Sequence, residues 1–329
     1  MNTTNTHRLL PFVKKNRFYN HQHDQPESLL FHTIPSFISS LHARKKRLPE
    51  NKQVWFCPTP LVSSSDQPLV TWIGHASFLI QIGGINIITD PIFGNASPFF
   101  PRIFPPGIAL ECLPTIDIIL LSHNHRDHCD VASLKGLQKR HPHVKVLVPL
   151  GDKIWLQRHG IMHILEHTWW DAHTQTSDTG SVICTFLPSH HWSAQGIFDR
   201  NKSLWGSWMI TRTDGTTHKP SIYFAGDTAY ADHFNCIAKE FSQIALALMP
   251  IAPGEPQCWM RKSHMDALQA VQAFIDLRAE HFIPMHWGTF QFGRDTFHGP
   301  VERLQAAWAT HTINNKKLTI AKIGQGLLL

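Results

Sequence analysis

Between Leu120 and Asp130 the chain reads LLSHNHRDHCD, which places His123, His125, Asp127 and His128 within six positions. Neutral imidazoles and a carboxylate are the donors that zinc and similar divalent ions take. The segment follows the apolar run 116–121, which reads as a buried strand, so the four donors arrive together at a strand end. In an extended chain His123, His125 and Asp127 point the same way. His128 joins them only if the chain turns, which the polar Asn124, Arg126 and Asp127 permit. A lone HxH would mean little in a chain with 24 histidines. HxHxDH directly behind a strand is far more specific.

Four donors are generous for one ion and too few for two, so further ligands are expected downstream. SVICTFL (181–187) alternates apolar and small polar residues and runs into PSHHW, with His190 and His191. SIYFA (221–225) runs into GDT, with Asp227, where Gly226 lets the backbone turn and Thr228 is available to bond a carboxylate. HFIPM (281–285) runs into HWGTF, with His286. A ligand-type residue after each strand is the order expected of a two-ion site built along one sheet edge. Asp90 in TDP, His75 in GHAS and Asp130 are candidates to hold a ligand imidazole by its N–H. Taken alone, His75 reads better as a satisfied core histidine, and Cys129 reads as a packing residue rather than a ligand.

The same residues carry a resemblance. HxHxDH, then His, then GDT, then His resembles the ligand order of the metallo-β-lactamase superfamily. WIGHASFLI, TDPIF, NASP, VPLG, HHW, LWGSW, FAGDT, MPIAPGEP and MHWGTF are similar to the N-acylphosphatidylethanolamine-hydrolysing phospholipase D family and its bacterial relatives, from about Leu69 to about Phe290. The resemblance implies an α/β fold, an αββα sandwich. It implies two Zn2+ per chain, although iron or manganese accepts similar ligands. One ion would take His123, His125 and His191, the other Asp127, His128 and His286, with Asp227 bridging. His191 is preferred to His190 because it precedes Trp192. The implied reaction is attack of a metal-bridging hydroxide on phosphorus, releasing phosphatidate and an N-acylethanolamine. Asp127 and His264 are the implied catalytic residues, His264 lying near the substrate phosphate. Ser263 stands where animal members carry Gln, a departure beside that residue.

Composition bounds the partners. The formal charge is +6, charged residues make up 16% of the chain, and the pI is about 9.0, which favours anionic partners without selecting one. RKKR at 44–47 is as compatible with a solvated helix face as with a binding patch. The proline-stiffened loop PFFPRIFPP (98–106) is expected to expose an apolar patch through Phe99, Phe100 and Phe104 that meets lipid; a core cap or the partner of a homodimer is the alternative. Six cysteines without a CxxC pair suggest free thiols and a reducing compartment. No signal-like segment or membrane-length run is evident, so the expectation is a cytoplasmic protein touching the inner face of a membrane. Two other hydrolase readings share parts of the motif, a lactonase of the ascorbate-phosphate type and a tRNA 3′-processing endonuclease. LWGSW and the apolar loop argue against the first. The lack of aromatic and basic interleaving argues against the second and against nucleic acid as a partner.

The elements that must position the donors follow from apolar patterning. Residues 1–68 read as an irregular arm with one helical candidate near 35–47, packed on a catalytic domain of residues 69–329. Strands are expected at 69–73, 78–82, 85–89, 116–121, 144–148, 182–187, 206–212, 221–225, 244–249, 282–285 and 318–323. Helices are expected at 131–140, 152–159, 266–279 and 301–309. Strands first, then mixed strand and helix, twice over, is compatible with two sheets packed face to face with helices outside.

Overall fold

The runs SFLIQI and INIIT carry no polar stripe, so both faces of the strands they form must be covered. The computed structural model, which describes residues 8–21, 52–213, 221–311, 313 and 315–329, covers them with a second sheet on one side and helices on the other. A hairpin of β1 (Phe12–Lys14) and β2 (Arg17–Tyr19) comes first. The first sheet takes β3 (Leu69–Gly74), β4 (Ser77–Ile82) and β5 (Ile85–Thr89) as an antiparallel meander. It continues in parallel through β6 (Ile118–Leu120), β7 (Lys145–Pro149) and β8 (Ile164–His167). The second sheet repeats the plan. β9 (Ala172–Ser177), β10 (Gly180–Leu187), β11 (Ser207–Thr213) and β12 (Ser221–Phe224) are antiparallel. β13 (Ile244–Pro250), β14 (His281–Met285) and β15 (Lys317–Leu318) follow in parallel. Last, β16 (Gly326–Leu328) returns to the free edge of β3, so the strand orders are β16-β3-β4-β5-β6-β7-β8 and β15-β14-β13-β12-β11-β10-β9.

Parallel neighbours need crossovers, and α-helices supply them except from β5 to β6, where the chain runs through the 90–117 loop. α1 (Val131–Arg140) and α2 (Lys153–Arg158) cover the first sheet. α3 (His233–Glu240), the short α4 (Gln257–Met260), α5 (Ala267–Leu277) and α6 (Gly299–Thr310) serve the second. Side-chain alternation sorts the residues. Phe78, Ile80, Ile82, Ile85 and Ile87 enter the core with Phe186, Trp208 and Ile210 of the facing sheet. Leu79, Ile88 and Ile119 point the other way, onto Leu134 and Leu137 of α1 and Leu156 of α2. Burying each such side chain is worth about 1.5–3 kcal/mol. On α5, Ala267, Ala270, Val271, Phe274 and Leu277 make one buried face, and Asp266 with Gln269 forms a capping box at its start. This is the αββα sandwich that the resemblance implied.

Three differences from the sequence reading stand out. Of the expected 318–323 strand only Leu318, with Lys317 ahead of it, pairs with β14; Ile323 bridges Phe56 instead, because the chain is crossing from the edge of one sheet to the edge of the other. β8, β9 and α3 were not anticipated; β9 is AHTQTS, an edge strand with no apolar run to announce it. Residues 35–47, including the helical candidate and RKKR, lie outside the described residues. Of the first 68 residues, 8–21 and 52–68 are described for the most part in contact with the sandwich, as where Trp170 Nε1 donates to Leu9 O at 2.7 Å and Cys57 N to Ile323 O at 2.8 Å.

Candidate metal centre

The carboxyl ends of β5, β6, β10, β12 and β14 meet at one rim of the sandwich, the usual place for a site in a sheet with parallel crossovers. There His123 Nε2 lies 2.8 Å from His125 Nδ1, which lies 3.2 Å from His191 Nε2. Beside this group, His128 Nε2 lies 3.1 Å from His286 Nε2 and 3.5 Å from Asp127 Oδ2, with 3.7 Å between His286 Nε2 and Asp127 Oδ2. Asp227 stands between the groups. Its carboxylate is 3.3 Å from His128 Nε2, 3.1 Å from His286 Nε2, 3.8 Å from His191 Nε2 and 4.0 Å from His123 Nε2. Two nitrogens at about 2.05 Å on a tetrahedral ion sit about 3.3 Å apart, so these separations suit a bound cation.

The far ring nitrogens are also accounted for, which decides where the lone pairs point. His128 Nδ1 donates to Asp90 Oδ2 at 2.7 Å, His191 Nδ1 to Ser263 O at 2.7 Å and His286 Nδ1 to Ala252 O at 2.9 Å. Ser122 Oγ gives its one proton to Asp90 Oδ2 at 2.6 Å, so its oxygen accepts from His123 Nδ1 at 2.9 Å. Each of these four imidazoles then has only its Nε2 left to face the cluster. Asp90 also accepts from Ser122 N at 2.7 Å and so supports both groups. His125 faces the cluster with Nδ1, and its ring lies 4.1 Å from that of Trp192.

The backbone is bent hard to achieve this. His75, Asp90 and His286 all have positive φ, at 56°, 32° and 61°. Non-glycine residues in that region are strained, and such strain gathers at functional sites. Gly226 has φ 58°, and a Cβ there would come within 2.5 Å of Ser122 Cβ. The GDT loop of one sheet and the histidine loop of the other touch at this point, so only glycine fits.

Electrostatics differ across the cluster. Burial, with the facing imidazoles His128, His125 and His191, pushes His123 well below the ordinary imidazole range. Burial likewise lowers His191, and takes His125 down to about 4. On the other side burial opposes charge, but Asp227 and Asp127 outweigh it, holding His128 well above its usual value and His286 at about 9. Burial would raise Asp127 and Asp227, yet His128 and the other imidazoles around them keep both carboxylates well below the usual range. Two ionised carboxylates among imidazoles are a site that a cation satisfies by displacing protons.

Several sequence expectations are corrected. Asp130 does not support a ligand; it caps α1, accepting from Ser133 N at 3.0 Å. Thr228 does not bond the Asp227 carboxylate. Its hydroxyl donates to Ala229 O at 2.8 Å and accepts from His190 N at 3.0 Å, tying the GDT loop to the HHW loop. Phe104 does not face outward. It is 3% exposed, its ring 5.7 Å from that of Phe297. Phe100 is half-buried, 5.0 Å from Phe292, whereas Phe99 is 57% exposed. Arg102 sorts these rings by donating to the carbonyls of Phe104, Ile92 and Ile73. His75 is buried but more than a core histidine, with Nε2 3.1 Å from Asp127 Oδ2. Burial takes its pKa to about 3, so it is a neutral donor there. Cys129 is buried under α1, and all six cysteines are free. His264 Nδ1 lies 3.7 Å from Asp227 Oδ2 and has no hydrogen-bond partner among the described residues. Sequence reasoning missed Ser122 and the carbonyls of Ser263 and Ala252, because nothing in a residue's type announces that its backbone will meet a ring nitrogen.

A sandwich with this donor cluster at its rim defines a metal-dependent hydrolase of the metallo-β-lactamase superfamily, and the family model described as Beta-lactamase superfamily domain matches residues 85–287. The N-acyl-phosphatidylethanolamine-hydrolyzing phospholipase D 1 of Caenorhabditis elegans is 30% identical over 77% of this chain and 75% of its own length. The mitochondrial N-acyl-phosphatidylethanolamine-hydrolyzing phospholipase D of Saccharomyces cerevisiae is 31% identical over 72% of this chain and 52% of its own. Among solved structures, a metallo hydrolase from the archaeon Ignicoccus hospitalis superposes with a TM-score of 0.59 at 21% identity, over 80% of this chain and 98% of that one, which speaks for the fold. The chain belongs, within the superfamily, to the family of the N-acyl-phosphatidylethanolamine-hydrolyzing phospholipases D.

Proposed function

We propose that the chain is a binuclear metal phosphodiesterase that hydrolyses N-acylphosphatidylethanolamine-type phospholipids to phosphatidate and an N-acylethanolamine. The observation that carries this reading is Asp227, whose carboxylate lies 3.1–4.0 Å from four imidazole nitrogens drawn from both donor groups. That position suits two ions side by side, one on His123, His125 and His191, the other on Asp127, His128 and His286, with Asp227 on both. Zinc is the first choice for this donor set. Ions bound there supply a nucleophilic hydroxide at neutral pH and positive charge opposite the phosphoryl oxygens.

The chain's own groups supply the rest. Burial takes His264 down to about 4, so it is neutral and able to donate one hydrogen bond to a phosphoryl oxygen or to the departing oxygen. Hydrolysis adds water across the P–O bond. Phosphorus gains the hydroxyl, and the N-acylethanolamine oxygen leaves carrying a proton. Asp127, bonded to His75, would hold an ion beside the nucleophile, and the proton that water gives up on becoming hydroxide is the one the departing oxygen carries away. The names of the nematode and yeast relatives support the substrate class.

On this reading residues 1–68 are an arm on a catalytic domain of residues 69–329, and the enzyme works from the inner, cytoplasmic face of a membrane. Among the described residues no helix is long and apolar enough to cross one. Of the 98–106 loop, Phe99 is the ring left to touch lipid. The test is elemental analysis followed by assay on a panel of N-acylated and ordinary phospholipids, lactones and precursor tRNA. About two equivalents of metal and release of N-acylethanolamine are expected. Cleavage confined to a lactone or to RNA would overturn the substrate reading.

A further inference from the structure

Ile197 and Phe198 are 88% and 83% exposed, the most exposed large apolar side chains among the described residues. They stand at the tip of a loop that starts at His191, six and seven residues on. The loop is firmly built. Asp199 accepts from Gln195 N at 3.0 Å and Gly196 N at 2.9 Å, Asn201 N donates to Ser193 O at 2.7 Å, and the Arg200 guanidinium lies 5.0 Å over the Trp192 ring. Such a loop holds its two apolar tips in water instead of letting them fold back.

The N-terminal hairpin is laced to the same loop. Phe18 N donates to Asn201 O at 2.8 Å, Asn201 Nδ2 returns a bond to Phe18 O at 3.0 Å, and Arg17 donates to the carbonyls of Phe198 and Arg200. The outer strand β1 exposes Phe12 (49%) and Val13 (53%), with Leu10 (63%) just ahead. Lys14, Lys15 and Lys202 are exposed around these apolar groups. Segments 8–21 and 192–202 hold six Lys or Arg and one acidic residue, Asp199, whose carboxylate is turned back onto loop amides. The site is close by, since Asn20 Nδ2 donates to His191 O at 2.9 Å.

We propose that this projection, the 194–200 loop with the outer face of the hairpin, docks the enzyme on an anionic phospholipid bilayer. Ile197 and Phe198 enter the acyl boundary, while Lys14, Lys15 and Lys202 meet headgroup phosphates, the combination of apolar insertion and cationic rim that interfacial binding uses. Docked so, the enzyme holds the histidine loops beside the bilayer surface. The proposal deepens the phospholipid reading and rests on it for its purpose, but its test does not depend on turnover.

The metal-loaded protein would be cosedimented with phosphatidylcholine vesicles, with and without phosphatidylglycerol. Three forms are compared: the native chain, the Ile197→Ser/Phe198→Ser double variant and the Lys14→Ser/Lys15→Ser double variant. The native chain should bind the mixed vesicles and weaken with salt. The first variant should lose about tenfold or more in partitioning. It should keep its Tm, metal content and turnover of a soluble short-chain phosphodiester. The lysine variant should lose mainly the phosphatidylglycerol-dependent part. Unchanged vesicle binding in both folded variants would overturn the proposal. So would light scattering that shows the native chain dimeric and the first variant monomeric, for then the projection serves a second copy of the chain. A native chain that binds vesicles but cleaves no phospholipid would leave the docking standing and refute the substrate reading.

Discussion

The two sheets contribute to the donor cluster in opposite ways. The first delivers His123, His125, Asp127 and His128 from one turn after β6, and a side chain anchors two of them, since Asp90 takes the far nitrogen of His128 directly and that of His123 through Ser122. The second delivers His191, Asp227 and His286 singly from three loops, and its histidines hang on main-chain carbonyls, Ser263 O and Ala252 O. A carboxylate acceptor makes an imidazole a stronger donor to a metal than a carbonyl does, and it can be removed by substitution. A carbonyl cannot. The first half of the site is therefore tuned by side chains and the second by the path of the backbone.

The largest effect is expected where the halves meet. Asp227→Asn should cost more than about a hundredfold in turnover and lower metal content toward one ion or none, because it faces both groups. Metal analysis and kinetics on one preparation check this, and full retention of both ions would end the idea of a shared carboxylate. Next comes Asp90→Asn, expected to weaken metal affinity about ten- to a hundredfold. Competition with a chelator measures it. A loss no larger than that of a surface control would abolish the contrast between the halves. His264→Ala should lower turnover by about tenfold, the worth of one hydrogen bond to a charged group, with metal content unchanged. Metal loss equal to that of Asp227→Asn would assign His264 to an ion instead of to substrate. The smallest effect is Ser263→Ala. It leaves the carbonyl that His191 uses, so metal affinity should change by less than about twofold. A tenfold change would mean that the second half also relies on side chains.

The uneven legibility of the fold has physical causes. β4 and β5 were readable because burial on both faces leaves mostly apolar runs, interrupted by Gln81 and Asn86, which bond each other, and α1 because it ends in the basic Lys139 and Arg140 that suit a helix C-terminus. β9 was not, since an edge strand held by backbone pairing to β10 needs no apolar side chains. Phe99 and Phe104 show the limit in a loop. They are one residue type in one proline-rich segment, and what separates them is tertiary: Phe104 packs on Phe297, and Arg102 ties the loop to the carbonyls of Phe104, Ile92 and Ile73. Asp130 and Thr228 were assigned to the site by proximity in the chain, yet their bonds serve a helix end and a loop junction.

What the sequence determined by itself is the stock of donors and their places at strand ends, because apolar periodicity and residue type are local properties. HxHxDH is legible for that reason, its donors being within one turn of one another. Which donors meet was decided by the tertiary structure. Asp227 reaches four imidazoles, and Asp90 reaches the loops of His123 and His128, only because two sheets bring the ends of separate strands to one rim. Metal binding depends on separations of a few ångströms between residues far apart in the chain, and those are set by how strands pair and sheets pack, which no local spacing encodes.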